Sequence, residues 1–165
     1  MDYCSHILTP LGQALLSSDG EALTGLWFEG QKYCAATLSD CCEERALPVF
    51  AEAERWLSVY FSGKVPDFTP PLAPKGTPFR KEIWDILLTI PYGQTITYGR
   101  IAAILAARRG FRHFSAQAVG GAVGHNPISL IIPCHRVVGA DGSLTGYAGG
   151  IEKKHFLLDL EAGRR

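Results

Sequence analysis

A chain of 165 residues makes one domain or two small ones, with ample material for a core. Its hydrophobic fraction of 47% and charged fraction of 19% describe an ordinary globular protein, and no apolar run approaches the roughly 20 residues of a membrane helix. Net charge is zero, but residues 1–74 carry 4 Lys+Arg against 10 Asp+Glu, and residues 75–165 carry 12 against 6. Phosphate contacts need local rather than global positive charge, so the basic second half keeps nucleic acid open as a partner. The bland alternative is a solvated surface with chance asymmetry. Met1-Asp2-Tyr3 has no basic region leading into an apolar core, so no secretion signal is expected. Five cysteines, an odd count, then argue for reduced thiols in a cytoplasm.

In chain order, residues 3–9 read as a first strand. Gly12 to Ser17 and Leu23 to Phe28 read as two more, joined across Ser18-Asp19-Gly20, a hairpin signal between apolar runs. Lys32 to Glu44 holds Cys34, Cys41 and Cys42, with His6 upstream. Their spacing fits no zinc pattern, and buried or idle thiols are expected there. Pro48 to Phe61 reads as a helix. Val49, Phe50, Ala53, Trp56, Leu57 and Tyr60 recur at helical spacing, Pro48 suits a first turn, and Gly63 ends it. Five prolines between Pro66 and Pro78 mark an extended linker where the charge balance changes sign. The boundary is placed there: an N-terminal α/β domain, residues 1–70, and a C-terminal domain, residues 71–165.

Thr77-Pro78 starts the next helix, with Phe79, Ile83, Trp84, Leu87 and Leu88 on its apolar face. Thr97 caps a helix from Tyr98 to Ala107. A basic loop follows with Arg108, Arg109, Arg112 and His113, and Ser115 caps a short helix from Ala116 to Val123. Two short helices joined by a turn form a helix-turn-helix candidate. The second is built from Ala, Val and Gly, so its backbone can approach something closely; tight helix–helix packing is the structural alternative. Lacking long side chains, it cannot read base edges in a major groove, and a minor groove with weak sequence preference fits better. A last helix spans Ile151 to Glu161, with Ile151, His155, Phe156, Leu158 and Leu160 on its partly apolar side.

The chemistry centres on Pro133-Cys134-His135-Arg136-Val137-Val138. The apolar run Ile128 to Ile132 leads in, and the glycine-rich stretch to Gly150 leads out. This reads as a thiol at the edge of a buried strand with an imidazole beside it. Only a thiolate attacks well, and the base that takes its proton needs an orienting partner. Neighbours on a strand face opposite ways, so a bridging water or a bent backbone must link Cys134 to His135. Glu161 is the carboxylate assigned to orient His135. A lone cysteine is more often a small buried hydrophobe, and the adjacent histidine reverses that preference here.

Gly120-Gly121-Ala122, Asn126-Pro127, Ile132 to Val138, Tyr147 and Gly149-Gly150 stand in the order and spacing of one family. The chain resembles the methylated-DNA–protein cysteine methyltransferases, the O6-alkylguanine-DNA alkyltransferases, closely over roughly residues 75–162 and loosely before them. The resemblance implies an N-terminal domain with a small ribonuclease-H-like sheet and a helix, and a mostly α C-terminal helix-turn-helix (winged-helix-like) domain. It implies direct-reversal repair: the monomeric protein binds double-stranded DNA through the minor groove and rotates the damaged guanine out of the stack. The alkyl group then moves from O6 to Cys134, once per molecule. Extrusion is physically required, because a thiolate cannot reach that oxygen inside a stacked duplex.

By the same resemblance, Cys134 is the acceptor. His135 acts through a water with Glu161 behind it, Asn126 holds the turn, and Tyr98 hydrogen-bonds the base. Thr97, Tyr98, Ser115, Ala116, Gln117, Ala118 and Gly120 face the DNA. Pro133, Val137, Tyr147, Ala148 and Gly149 form the substrate pocket. Arg136 makes structural hydrogen bonds. Where the family often has an intercalating arginine, this chain has Gln117. The Arg108 to Phe114 segment is a few residues longer than in familiar members, and Arg109 and Arg112 are expected to contact phosphates. The family's zinc ligands are not convincingly matched, so no metal or other cofactor is expected. Two other readings compete: a Cys–His thiol hydrolase, and a lesion-binding module without transfer. The presence of Cys134 argues against the second. Sequence leaves open which alkyl groups are accepted and whether O4-alkylthymine is repaired.

Overall fold

The structure is a computed structural model that describes residues 1–144 and 146–165. Thr145, in the glycine-rich stretch that leads out to Gly150, lies outside the described residues. Four strands form the N-terminal sheet: β1 (Asp2–Thr9), β2 (Gly12–Ser18), β3 (Leu23–Phe28) and the short β4 (Cys42–Glu44). Their order is β3-β2-β1-β4, antiparallel except for β4, which runs parallel to β1. The hairpin expected at Ser18-Asp19-Gly20 is present, and Asp19 accepts from the backbone N–H groups of Glu21 and Ala22. Helix α1 (Pro48–Phe61) packs across β1 to β3. It buries Phe50, Trp56, Leu57 and Tyr60, the residues its period placed inside. Each such burial contributes about 1.5–3 kcal/mol relative to exposure.

The proline-rich segment is extended, but it is not a free linker. Pro71 and Ala73 exchange backbone hydrogen bonds with Leu23 on the outer edge of β3. Helix α2 (Pro78–Leu87) follows, its first turn capped by Thr77 Oγ1, which accepts from the Arg80 N–H. Next come β5 (Ile96–Thr97), α3 (Tyr98–Arg109) and α4 (Ala116–Gly124). Thr97 and Ser115 cap α3 and α4 as expected. Gly110 ends α3 in the left-handed region, where a side chain would be strained. Helices α2 and α3 both pack on α4, and Trp84 Nε1–H donates to the Ala122 carbonyl. A single hydrophobic core runs through both halves of the chain.

Two features differ from expectation. Ile128 to Ile132 forms no strand of its own. Instead Leu26 donates to the Pro127 carbonyl and accepts from the Ser129 N–H, so the segment docks on the edge of β3. Cys134–Arg136 forms a 3-10 turn rather than a strand edge, and only Val137–Val138 (β6) is extended. β6 pairs with β5, Ile96 against Val137 and Thr97 against Val138. Helix α5 (Ile151–Glu161) closes the chain against the 3-10 turn. It buries Lys154, Leu157, Leu160 and Glu161, while Ile151, expected on the inward side, is 54% exposed.

Candidate active site

The turn that carries Cys134 is held from below by Asn126. Its Nδ2 donates to the carbonyls of Ile128 (3.3 Å) and Ile132 (2.8 Å), and its Oδ1 accepts from the Ile128 N–H. Between these points Leu130 adopts φ +71°, a left-handed conformation that costs a leucine about 1–3 kcal/mol. Leu130 is fully buried, so packing on the sheet holds it there. The reversed chain then enters the 3-10 turn, and the β5–β6 pairing brings Tyr98, the first residue of α3, towards the same place.

Cys134 is 5% exposed and His135 is fully buried. The Glu161 carboxylate is a hub for five donors. His135 Nε2 lies 2.5 Å from Oε2 and Tyr60 Oη 2.7 Å from Oε2, while Gly93 N donates to Oε1 at 3.0 Å. Arg136 donates twice, Nε at 2.8 Å and Nη2 at 3.1 Å, and its Nη1 binds the Ile90 carbonyl. Arg136 is thus structural, as expected. Burial pushes the Glu161 carboxyl up, but hydrogen bonds from His135 and Arg136, with the Arg136 charge, outweigh it and hold the group well below the usual glutamate range.

A carboxylate can only accept, so His135 carries its proton on Nε2 and keeps a lone pair on Nδ1. Burial lowers the His135 pKa, partly offset by Glu161, so the ring is neutral at pH 7. Nδ1 is buried without a hydrogen-bond partner among the described residues. The 3-10 geometry supplies the bent backbone that two neighbours on a regular strand would lack. Burial raises the Cys134 thiol pKa. Opposing it are the Asn126 side chain, the Lys154 charge, and the backbone N–H groups of Cys134 and His135. Lys154 is itself fully buried, and its Nζ donates to the Val137 carbonyl.

Beside this centre opens a cleft of about 340 Å³. Gly120, Gly121, Gly124 and His125 of the α4 end, Gly146, Tyr147 and Ala148 of the last loop, and Lys32 and Tyr33 line it. Tyr147 belongs to the cleft and also senses Cys134, and Tyr98 senses the same thiol. Gly149 fits because a Cβ there would meet the Tyr147 ring at 2.6 Å. Pro133 and Val137, expected in the substrate pocket, are buried on either side of the 3-10 turn that carries Cys134. Ser115, Ala116, Gln117 and Ala118 are exposed on the first turn of α4, and Gly120 is half-buried against Tyr98. Thr97 uses its side chain as the cap of α3.

Arg109, expected at a phosphate, has partners within the protein. Its Nη2 lies 2.6 Å from Glu82 Oε2, and its guanidinium covers the rings of Phe79 and Phe114, so it braces α2 against α3. Arg112 is exposed, with no ion pair among the described residues. Sequence reasoning missed Tyr60 and Lys154. Tyr60 looked like a core position of α1, and its hydroxyl reaches Glu161 across the molecule. Lys154 sits between charged neighbours and looks solvated. Reading α5 from Glu161 backwards, seven residues to Lys154, would have put both on one face.

Fold and site together define a cysteine-nucleophile protein on a helix-turn-helix frame. Its ribonuclease-like half and its DNA-binding half both match known families. Residues 3–74 match the 6-O-methylguanine DNA methyltransferase ribonuclease-like domain, and residues 78–163 match the DNA-binding domain of the same proteins. The chain belongs to the 6-O-methylguanine DNA methyltransferase family, direct-reversal repair proteins that move an alkyl group from DNA to a cysteine. It is 44% identical over 160 residues to a methylated-DNA–protein-cysteine methyltransferase of Haemophilus influenzae, covering 96% of this chain and 86% of that protein. It is 45% identical over 159 residues to the corresponding Methanosarcina barkeri protein, covering 96% of each. The crystal structure of Mycobacterium tuberculosis OGT in complex with DNA superposes with a TM-score of 0.83 at 41% identity, covering 98% of this chain and 94% of that one.

Proposed function

We propose that the chain repairs O6-alkylguanine in double-stranded DNA by transferring the alkyl group to Cys134, with O4-alkylthymine open to the same chemistry. The observation that carries this reading is the buried relay at the thiol. Glu161 fixes His135 with Nδ1 as its only free acceptor, one residue from Cys134. A water between Nδ1 and Sγ passes the thiol proton to His135. The thiolate then attacks the alkyl carbon, the carbon–O6 bond breaks, and the guanine leaves with its electron pair and takes up a proton. The thioether has no route back, so each molecule acts once. No step calls for a metal or cofactor.

The damaged base reaches Sγ by rotating out of the stack into the cleft beside Tyr147 and Gly146. The first turn of α4, with the small Ala116, Ala118 and Gly120, supports minor-groove docking, and exposed Gln117 is the side chain placed to fill the gap. Tyr98, close to Gly120 and Gly146, is assigned to the extruded nucleotide. Arg112 is assigned to a phosphate. We read residues 1–70 as the scaffold domain and 71–165 as the acceptor domain; two family matches, over residues 3–74 and 78–163, support two units that meet within the proline-rich segment. We read the acting unit as a monomer. The five free thiols support a reducing cytoplasm. The test is a duplex whose O6-methylguanine carries a radioactive methyl group. Label should pass to the protein with a burst of one methyl per molecule. Continued turnover, or label still transferred by Cys134→Ser, would refute the proposal.

A further inference from the structure

Far from the acceptor, two thiols face one another across the seam between β1 and β4. Cys4 Sγ lies 3.0 Å from Cys42 Sγ, although the residues are 38 apart in sequence. Cys4 is buried and Cys42 is exposed. The seam needs fastening, because β4 is only three residues long, is exposed, and pairs with β1 alone. Its other ties include the His6–Glu44 contact at 3.1 Å, the Arg45 N–H to the Cys4 carbonyl, and the Arg45 guanidinium over the Tyr3 ring. Behind β4 runs the segment from β3, which leans on the acceptor domain. Tyr33 stacks on His125 with ring centroids 4.0 Å apart, and the Lys32 N–H donates to the Ala148 carbonyl.

We propose that Cys4 and Cys42 form a reversible disulfide on exposure to a peroxide, a modification site separate from the alkyl acceptor. The exposed Cys42 sulfur takes one oxygen from the peroxide and becomes a sulfenic acid, releasing water. The Cys4 sulfur attacks it, the S–O bond breaks, and the hydroxyl leaves as a second water with the Cys4 proton. The two sulfurs together lose two electrons, and the peroxide gains them. Burial, with Cys42 and Glu44 nearby, pushes the Cys4 thiol up to about 12, so Cys42 is oxidised first and Cys4 resolves it. The disulfide fastens β4 to β1 and fixes the far end of the loop that carries Tyr33.

The test oxidises the reduced full chain with stoichiometric hydrogen peroxide, then maps it by mass spectrometry after non-reducing digestion. The expected product is the Cys4 peptide joined to the peptide of residues 33–45, two hydrogens lighter than the separate thiols and cleaved by dithiothreitol. It should survive in Cys41→Ser and vanish in Cys42→Ser. Thermal melting adds a second readout. The oxidised wild type should melt on the order of 5–10 °C above the reduced form, and Cys42→Ser should show no such shift. The proposal is overturned if Cys4 stays free while Cys42 advances to a sulfinic acid, or if the link persists in Cys42→Ser. Neither readout depends on alkyl transfer, so failure here leaves the repair reading untouched.

Discussion

Replacing Glu161 by glutamine tests the relay and the fold at once. The carboxylate accepts from His135, Tyr60, Gly93 and twice from Arg136. Glutamine keeps one accepting oxygen and turns the other into a donor. At least two of those hydrogen bonds are lost, and Arg136, only 8% exposed, loses its counter-charge. A charged hydrogen bond contributes about 1.5–3 kcal/mol, and breaking a buried ion pair costs about 3–5 kcal/mol. We expect Glu161→Gln to lose about 3–5 kcal/mol in urea unfolding at pH 7, with the m-value unchanged. The sign of the pH dependence follows from the depressed Glu161 pKa. Its contribution is complete above the ordinary glutamate value of about 4.3 and fades as pH falls towards the folded-state value. The gap between wild type and variant should therefore persist at pH 5.5 and narrow only in more acid solution. Single-turnover methyl transfer should slow at least about tenfold, less than the about 10²–10⁴ that the general base itself supplies, because His135 remains. A gap below about 1 kcal/mol at pH 7, or one already closed at pH 5.5, would refute this reasoning.

Lys154→Met removes a buried positive charge that favours the Cys134 thiolate. The pH–rate profile of Cys134 alkylation should move up by about one unit, slowing the reaction roughly tenfold at neutral pH. An unshifted profile would confine Lys154 to packing. Arg112→Ala should weaken DNA binding and lower the salt slope by about 1. Arg109→Ala should leave that slope alone and instead cost about 1 kcal/mol of stability through its lost contacts with Glu82, Phe79 and Phe114. Exchange of the two outcomes would reverse the assignment of the arginines.

Helices were legible wherever period and cap agreed. The six apolar residues of α1 and the caps Thr77, Thr97 and Ser115 carry their local structure in their own chemistry. The Ile128 to Ile132 run misleads because four buried apolar residues around a single serine look alike in a strand and in a docked reversal. Only Leu26, a hundred residues earlier, decides between them. Nothing local marks Leu130 for a left-handed conformation either; Asn126 and the sheet edge impose it. The link from His135 to Glu161 was readable because a thiol beside an imidazole calls for a carboxylate to orient the ring. Tyr60 and Lys154 were not, since their roles arise from contacts across the domain boundary and between distant elements. Arg109 looked free because its acidic partner lies 27 residues away on another helix.

The central claim is that Cys134 alone receives the alkyl group. Intact mass after incubation with a duplex carrying one O6-methylguanine measures this directly. The account predicts a gain of one methyl group per chain, located at Cys134 by peptide fragmentation and absent in Cys134→Ser. An unchanged wild-type mass, or a methyl group on Cys4, Cys34, Cys41 or Cys42, would contradict it.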